Sequence, residues 1–128
     1  MKAKHSLLAL CLLLVAGALG AAGAHAALHF ELSGSLPEPD ATVPPPEEVR
    51  LWFTEAPQEG SVAIRLIDPA GEPVETGEPT PAEDDARVVS VAVEPRLAPG
   101  RYTVSWRGIG DDGHVVRGDF GFTVAAAE

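Results

Sequence analysis

The chain has 128 residues, a formal net charge of −10 and a hydrophobic fraction of 45%, which is enough for one folded domain. Its single methionine and single cysteine are Met1 and Cys11, so thiolate sites, thioether sites and disulfides are excluded after residue 11. The excess of acidic over basic residues, nineteen against nine, argues against nucleic acid or an anionic lipid surface as a partner.

The first 26 residues have the pattern of a secretory signal peptide. Lys2 and Lys4 precede an apolar run over residues 7–15, and small residues at 22–24 and 24–26 match cleavage motifs. The run is too short to span a membrane, and Leu10 stands where a lipoprotein signal has a small residue. We expect residues 1–26 to be removed on export, leaving residues 27–128 as one soluble periplasmic domain with no direct membrane insertion.

Apolar and polar residues alternate with period 2 in the rest of the chain, which is typical of β-strands. The runs lie at 30–32, 49–53, 62–67, weakly at 72–75, then at 89–93, 102–106 and 120–124, with prolines between them. Segments 37–46 and 77–81 are predicted as exposed loops. The pattern predicts an all-β fold, an immunoglobulin-like antiparallel β-sandwich with Greek-key connections and about seven strands. Its expected core contains Val49, Leu51, Phe53, Val62, Ile64, Leu66, Val91, Tyr102, Val104, Phe120 and Phe122.

The segment 97–102 places a tyrosine just inside a strand after a tight Pro-Gly turn. The Tyr102 hydroxyl could reach back to the backbone, as in the tyrosine corner of immunoglobulin-like folds. The alternative is that Tyr102 is an ordinary aromatic residue of the strand.

Metal-binding chemistry is concentrated in Asp112, His114 and the distant His29. Asp112 and His114 are two residues apart, so on an extended segment both side chains leave the same face. Two imidazoles and a carboxylate suit a divalent transition metal, with Cu(II) ahead of the alternatives. Asp112-Gly113 is also a favoured hairpin turn, in which the aspartate caps its own backbone and His114 simply begins a strand. We interpret Asp111 as a turn residue.

Four blocks extend this motif to the whole domain: residues 29–37 (HFELSGSLP), 49–55 (VRLWFTE), 97–106 (LAPGRYTVSW) and 112–124 (DGHVVRGDFGFTV). Their content and order resemble the CopC-type periplasmic copper-binding proteins, including their short YobA-like relatives. The resemblance covers the chain from His29 to Val124.

The resemblance implies a protein of copper homeostasis or resistance that binds one Cu(II) per chain through His29, Asp112 and His114. It also implies that copper is buffered or passed to an inner-membrane protein of the CopD type. We expect a monomer. We also expect that the protein is not an enzyme, because neither His29 nor His114 has a serine or cysteine neighbour that could act as a nucleophile.

Other readings stay open on the sequence alone. Cleavage after Ala26 would expose Ala27-Leu28-His29, whose amine, two amides and imidazole form a four-nitrogen Cu(II) site without Asp112 or His114. Cleavage after Ala24 would instead start the chain at His25. The domain could also be a metal-free immunoglobulin-like interaction module. A copper enzyme with an N-terminal histidine brace is disfavoured, because such enzymes usually need a larger domain.

Overall fold

The computed structural model describes residues 29–126, and within this range it contains nine β-strands and no helix. The strands are β1 (Leu32–Leu36), β2 (Thr42–Val43), β3 (Glu48–Phe53), β4 (Ala63–Ile67), β5 (Pro73–Val74), β6 (Thr80–Ala82), β7 (Asp85–Ala92), β8 (Gly100–Ile109) and β9 (Val115–Val124). The all-β prediction is confirmed. The predicted signal peptide, residues 1–26, lies outside the described residues.

The strands form two sheets that pack face to face. One has four strands in the order β1-β3-β7-β6, and the other has five in the order β2-β9-β8-β4-β5. Burial alternates along the central strands because successive side chains point to opposite faces, as the pattern of β3 shows from Glu48 to Phe53. The inner faces of the two sheets supply the core.

Each of the two predicted loops contains residues of a short strand, so the loop prediction is wrong at those positions. Within 37–46, β2 pairs in parallel with β9, so the sandwich is not purely antiparallel. Within 77–81, the prediction fails from Thr80 onward, because β6 pairs with β7. Both strands lie at sheet edges and have two or three residues, one of them Pro81, so neither is long enough to carry a period-2 signal.

The core prediction is largely confirmed. Nine of the eleven expected residues are buried, while Val62 and Phe120 are partly buried and pack against them. The buried set also includes residues that were not predicted: Phe30, Val88, Val89, Val93, Leu97, Trp106 and Val124. Burying one such large side chain contributes about 1.5–3 kcal/mol, so this shared interior is the main source of stability.

The predicted tyrosine corner is present. The Tyr102 hydroxyl donates a hydrogen bond of 2.8 Å to the carbonyl of Ala98, four residues earlier. The ring is buried and stacks on Phe122, with the two centroids 5.8 Å apart. The corner therefore fixes the start of β8, and the other end of β8 leads into the candidate metal-binding turn.

Candidate metal centre

The longest hairpin of the fold presents the Asp112-Gly113-His114 motif at its tip. Strands β8 and β9 pair over ten residues each, from Gly100 opposite Val124 to Ile109 opposite Val115. The turn needs glycine at position 113, where the backbone adopts a φ of 82°. A hydrogen bond of 3.0 Å from the Gly113 amide to the Gly110 carbonyl closes it. The rigid hairpin thus holds the motif in solvent at one end of the sandwich.

At this tip the Asp112 and His114 side chains contact each other. Asp112 Oδ2 lies 3.0 Å from His114 Nδ1, and Asp112 Oδ1 accepts a 3.1 Å hydrogen bond from the His114 amide. Asp112 therefore caps the backbone of the turn through one carboxylate oxygen, while the other oxygen contacts the His114 ring, so the two interpretations of this segment do not exclude each other. Both side chains are exposed, His114 to 82% and Asp112 to 52%, so an ion from solvent can reach them.

The contact also affects the carboxylate's protonation. Hydrogen bonds from the His114 side chain and then from its amide lower the pKa of Asp112, and the nearby positive charges of His114 and His29 lower it further. Asp112 therefore stays an anion as the solution becomes acidic, which is the form that binds a metal.

His29 is held at the same end of the sandwich by its neighbours. Phe30 is buried and packs against the start of the turn so closely that a β-carbon at Gly110 would lie 2.5 Å from the Phe30 Cβ. Thr54, just after β3, donates a 2.8 Å hydrogen bond to the His29 carbonyl and accepts one of 3.0 Å from the Glu31 amide. The fold thus brings His29 to the same end of the sandwich as a turn more than eighty positions later.

A second residue beyond the end of β3 holds the turn itself. The Glu55 side chain accepts a 3.1 Å hydrogen bond from the Asp111 amide through Oε1. Sequence reasoning missed Thr54 and Glu55 as site residues, although both close the VRLWFTE block. Their polarity directly after an apolar strand was the available signal. One dipeptide, Thr54-Glu55, therefore positions both halves of the candidate centre.

The predicted ligands do not form a closed cage. Within residues 29–126, no three or more His, Cys, Asp or Glu side chains stand together closely enough to hold a metal ion. Asp112 and His114 are a contact pair, whereas His29 lies at the same end of the fold, exposed. That one ion binds all three remains a prediction. No helix in the described range is long and apolar enough to cross a membrane.

Comparison with known proteins identifies the family. A family model described as the CopC domain matches residues 32–125, which include Asp112 and His114 and leave His29 three positions outside. Protein YobA of Escherichia coli (strain K12) is 30% identical over 97 residues, or 75% of this chain and 78% of that protein. Copper resistance protein C of Escherichia coli is 30% identical over 103 residues, or 75% of this chain and 81% of that protein.

The fold comparison agrees with the sequence comparison. The crystal structure of CopC from Methylosinus trichosporium OB3b matches with a TM-score of 0.71 and 31% identity, covering 78% of this chain and 97% of that chain. The resemblance inferred from the four sequence blocks is confirmed. Matched over most of its length in both sequence and fold, this chain belongs to the CopC domain family.

Proposed function

We propose that this protein is an exported, non-enzymatic Cu(II)-binding protein of copper homeostasis or resistance. In this proposal it binds one ion through His29, Asp112 and His114, and it buffers the ion or passes it to a CopD-type inner-membrane protein. The names of its relatives support a copper-handling role. The observation that carries the ligand assignment is the 3.0 Å contact between Asp112 Oδ2 and His114 Nδ1.

The length of this contact fits two neighbouring ligands of one ion. Donors that each lie about 2.0–2.2 Å from a divalent metal, at a right angle, are about 3 Å apart. Right angles between adjacent ligands are what tetragonal Cu(II) prefers. The ion would replace the proton between Nδ1 and Oδ2, and His29, tethered nearby by Thr54, would supply a further nitrogen. The hydrogen bonds from the Gly113 amide to the Gly110 carbonyl and from the His114 amide to Asp112 Oδ1 would not need to break.

The oxidation state follows from the donor set. No cysteine or methionine occurs after residue 11, so the domain offers nitrogen and oxygen but no sulfur. Soft thiolate and thioether ligands favour Cu(I), whereas imidazole and carboxylate suit Cu(II). Titration under reducing, anaerobic conditions should therefore find a Cu(I) affinity far below that for Cu(II). Equal affinities would contradict the assignment.

Alanine variants of the three residues test the ligand set directly. We expect His114→Ala and His29→Ala each to weaken Cu(II) binding strongly, and Asp112→Ala to weaken it less. Asp111→Ala is the matched control, because it removes a neighbouring acid outside the proposed set. Competition titration gives the affinities, and electron paramagnetic resonance counts the nitrogen ligands. The assignment is wrong if His114→Ala leaves both unchanged.

Two alternatives predict other outcomes. If the amine and amides of Ala27-Leu28-His29 hold copper alone, His29→Ala abolishes binding and His114→Ala has almost no effect. The intact mass of the exported protein, which fixes its first residue, decides whether that site can exist. A metal-free interaction module is favoured by the absence of a three-ligand cluster within residues 29–126. It predicts no copper uptake in competition with a weak chelator.

A further inference from the structure

Besides Arg101, which pairs with Asp40, the outer face of the five-stranded sheet carries three exposed arginines close together on neighbouring strands. Register places Arg107 of β8 directly opposite Arg117 of β9. Arg65 of β4 lies opposite Ser105, one same-face position along from Arg107. Adjacent strands are about 4.8 Å apart, so three guanidinium groups share a small area. We call the surface formed by Arg65, Arg107 and Arg117 the arginine face.

This arrangement is unusual for so acidic a protein. The only carboxylate on the neighbouring cross-strand positions is Asp119, opposite Ser105. Among the described residues, none forms an ion pair with Arg65, Arg107 or Arg117, although three other arginines are paired with acids at 2.8–3.0 Å. Like charges directly opposite each other destabilise a sheet. The chain therefore keeps an arrangement that costs stability and that an anionic partner would relieve.

The shape and surroundings of the face favour a protein partner. A shallow depression of about 200 Å³ lies between the three arginines, with Ser105 and Ala63 in its lining. Beside it, Val115 is an exposed apolar side chain, 46% accessible, on the same side of β9 as Arg117. Guanidinium groups bind carboxylates through two parallel hydrogen bonds. A row of such groups ending in an apolar position suits an extended peptide with acidic side chains.

We propose that the arginine face docks an acidic, extended segment of a partner protein. Attachment to an anionic membrane typically uses four to eight clustered basic residues, which is more than the face offers. Val115, beside the arginine face on β9, directly follows His114, so a docked segment would lie near the candidate metal-binding turn. Docking itself rests on charge and register. Only its use in passing copper to the partner rests on the proposed function.

A titration of the metal-free protein, recovered after expression of the full chain, tests the docking. The probe is an acetylated hexaglutamate peptide, followed by ¹H–¹⁵N NMR at low salt, with hexaglutamine as the neutral comparison. We expect shifts centred on the arginine face, and about a tenfold weaker affinity in the double variant Arg107→Gln/Arg117→Gln, since each exposed charge pair contributes modestly. The single variant Arg87→Gln, on the other sheet, is the matched control.

Several results would overturn the proposal. These are equal affinity in the double variant and the control, equal binding of inorganic phosphate and the peptide, and sedimentation of the protein with phosphatidylglycerol vesicles through the same arginines. Copper titration of the double variant separates the two proposals, because the variant leaves His29, Asp112 and His114 intact. In the unsubstituted protein, peptide binding without copper binding would support docking and contradict the proposed function. Copper binding without peptide binding would do the reverse.

Discussion

Replacing Thr54 with valine should weaken Cu(II) binding without touching any proposed ligand. The change keeps the shape and branching of the side chain but removes the hydroxyl. That hydroxyl donates a hydrogen bond of 2.8 Å to the His29 carbonyl and accepts one of 3.0 Å from the Glu31 amide. The backbone hydrogen bond from the Thr54 amide to the Glu31 carbonyl, 2.9 Å, remains. The variant should therefore fold normally while releasing His29 from its tether.

The size of the effect follows from the two hydrogen bonds and the freedom that they restrict. Both bonds are exposed, and such bonds contribute toward the low end of 0.5–1.5 kcal/mol each, so the free energy of unfolding should fall by about 1 kcal/mol. Fixing the backbone of one residue costs about 1–2 kcal/mol. If copper must order the freed His29 when it binds, the affinity should fall about tenfold, since about 1.4 kcal/mol corresponds to a factor of ten.

The assay is a competition titration of Cu(II) at constant pH, with chemical denaturation of the metal-free protein run in parallel. Thr103→Val is the matched control, because it makes the same change on the outer face of β8, away from the turn. An unchanged affinity in Thr54→Val, beside the expected loss of stability, would refute the shared site. It would favour the Ala27-Leu28-His29 site, because that ligand set is contiguous and gains nothing from the tether.

Three further outcomes are expected. In a pH titration, copper should be released as the solution is acidified through the imidazole range, because protonated histidine cannot bind a metal; Asp112 should stay charged over that range, because hydrogen bonds from His114 lower its pKa, so release only at far more acidic pH would contradict binding through histidine. Gly110→Ala should reduce the free energy of unfolding by about 1–3 kcal/mol in denaturant, because the new β-carbon would lie 2.5 Å from the Phe30 Cβ; a neutral result would contradict the close approach. Arg107→Glu should raise the melting temperature through a cross-strand pair with Arg117 worth about 0.2–1 kcal/mol, and a lower melting temperature would show that the arginines do not repel each other.

Local signals were sufficient for most of the fold. The alternation of Val49, Leu51 and Phe53 predicts a half-buried strand because side-chain direction repeats every two residues, and all three are buried. The turn at Asp112-Gly113 was likewise predictable, since glycine is needed where φ is positive. The edge strands β2 and β6 were not predictable, because two or three residues are too few to show a period, and β2 in addition pairs with β9, which lies far along the chain.

The amino-acid sequence by itself determined the class of fold, most of the core and the chemistry of the candidate ligands. Each of these depends on residue type and on spacing over a few positions. Only the tertiary structure decided that His29 lies at the same end as the Asp112–His114 pair, that Thr54 and Glu55 hold the two segments there, and that Arg107 faces Arg117. These contacts join residues far apart in the chain, and strand order and register, which no local pattern encodes, bring them together.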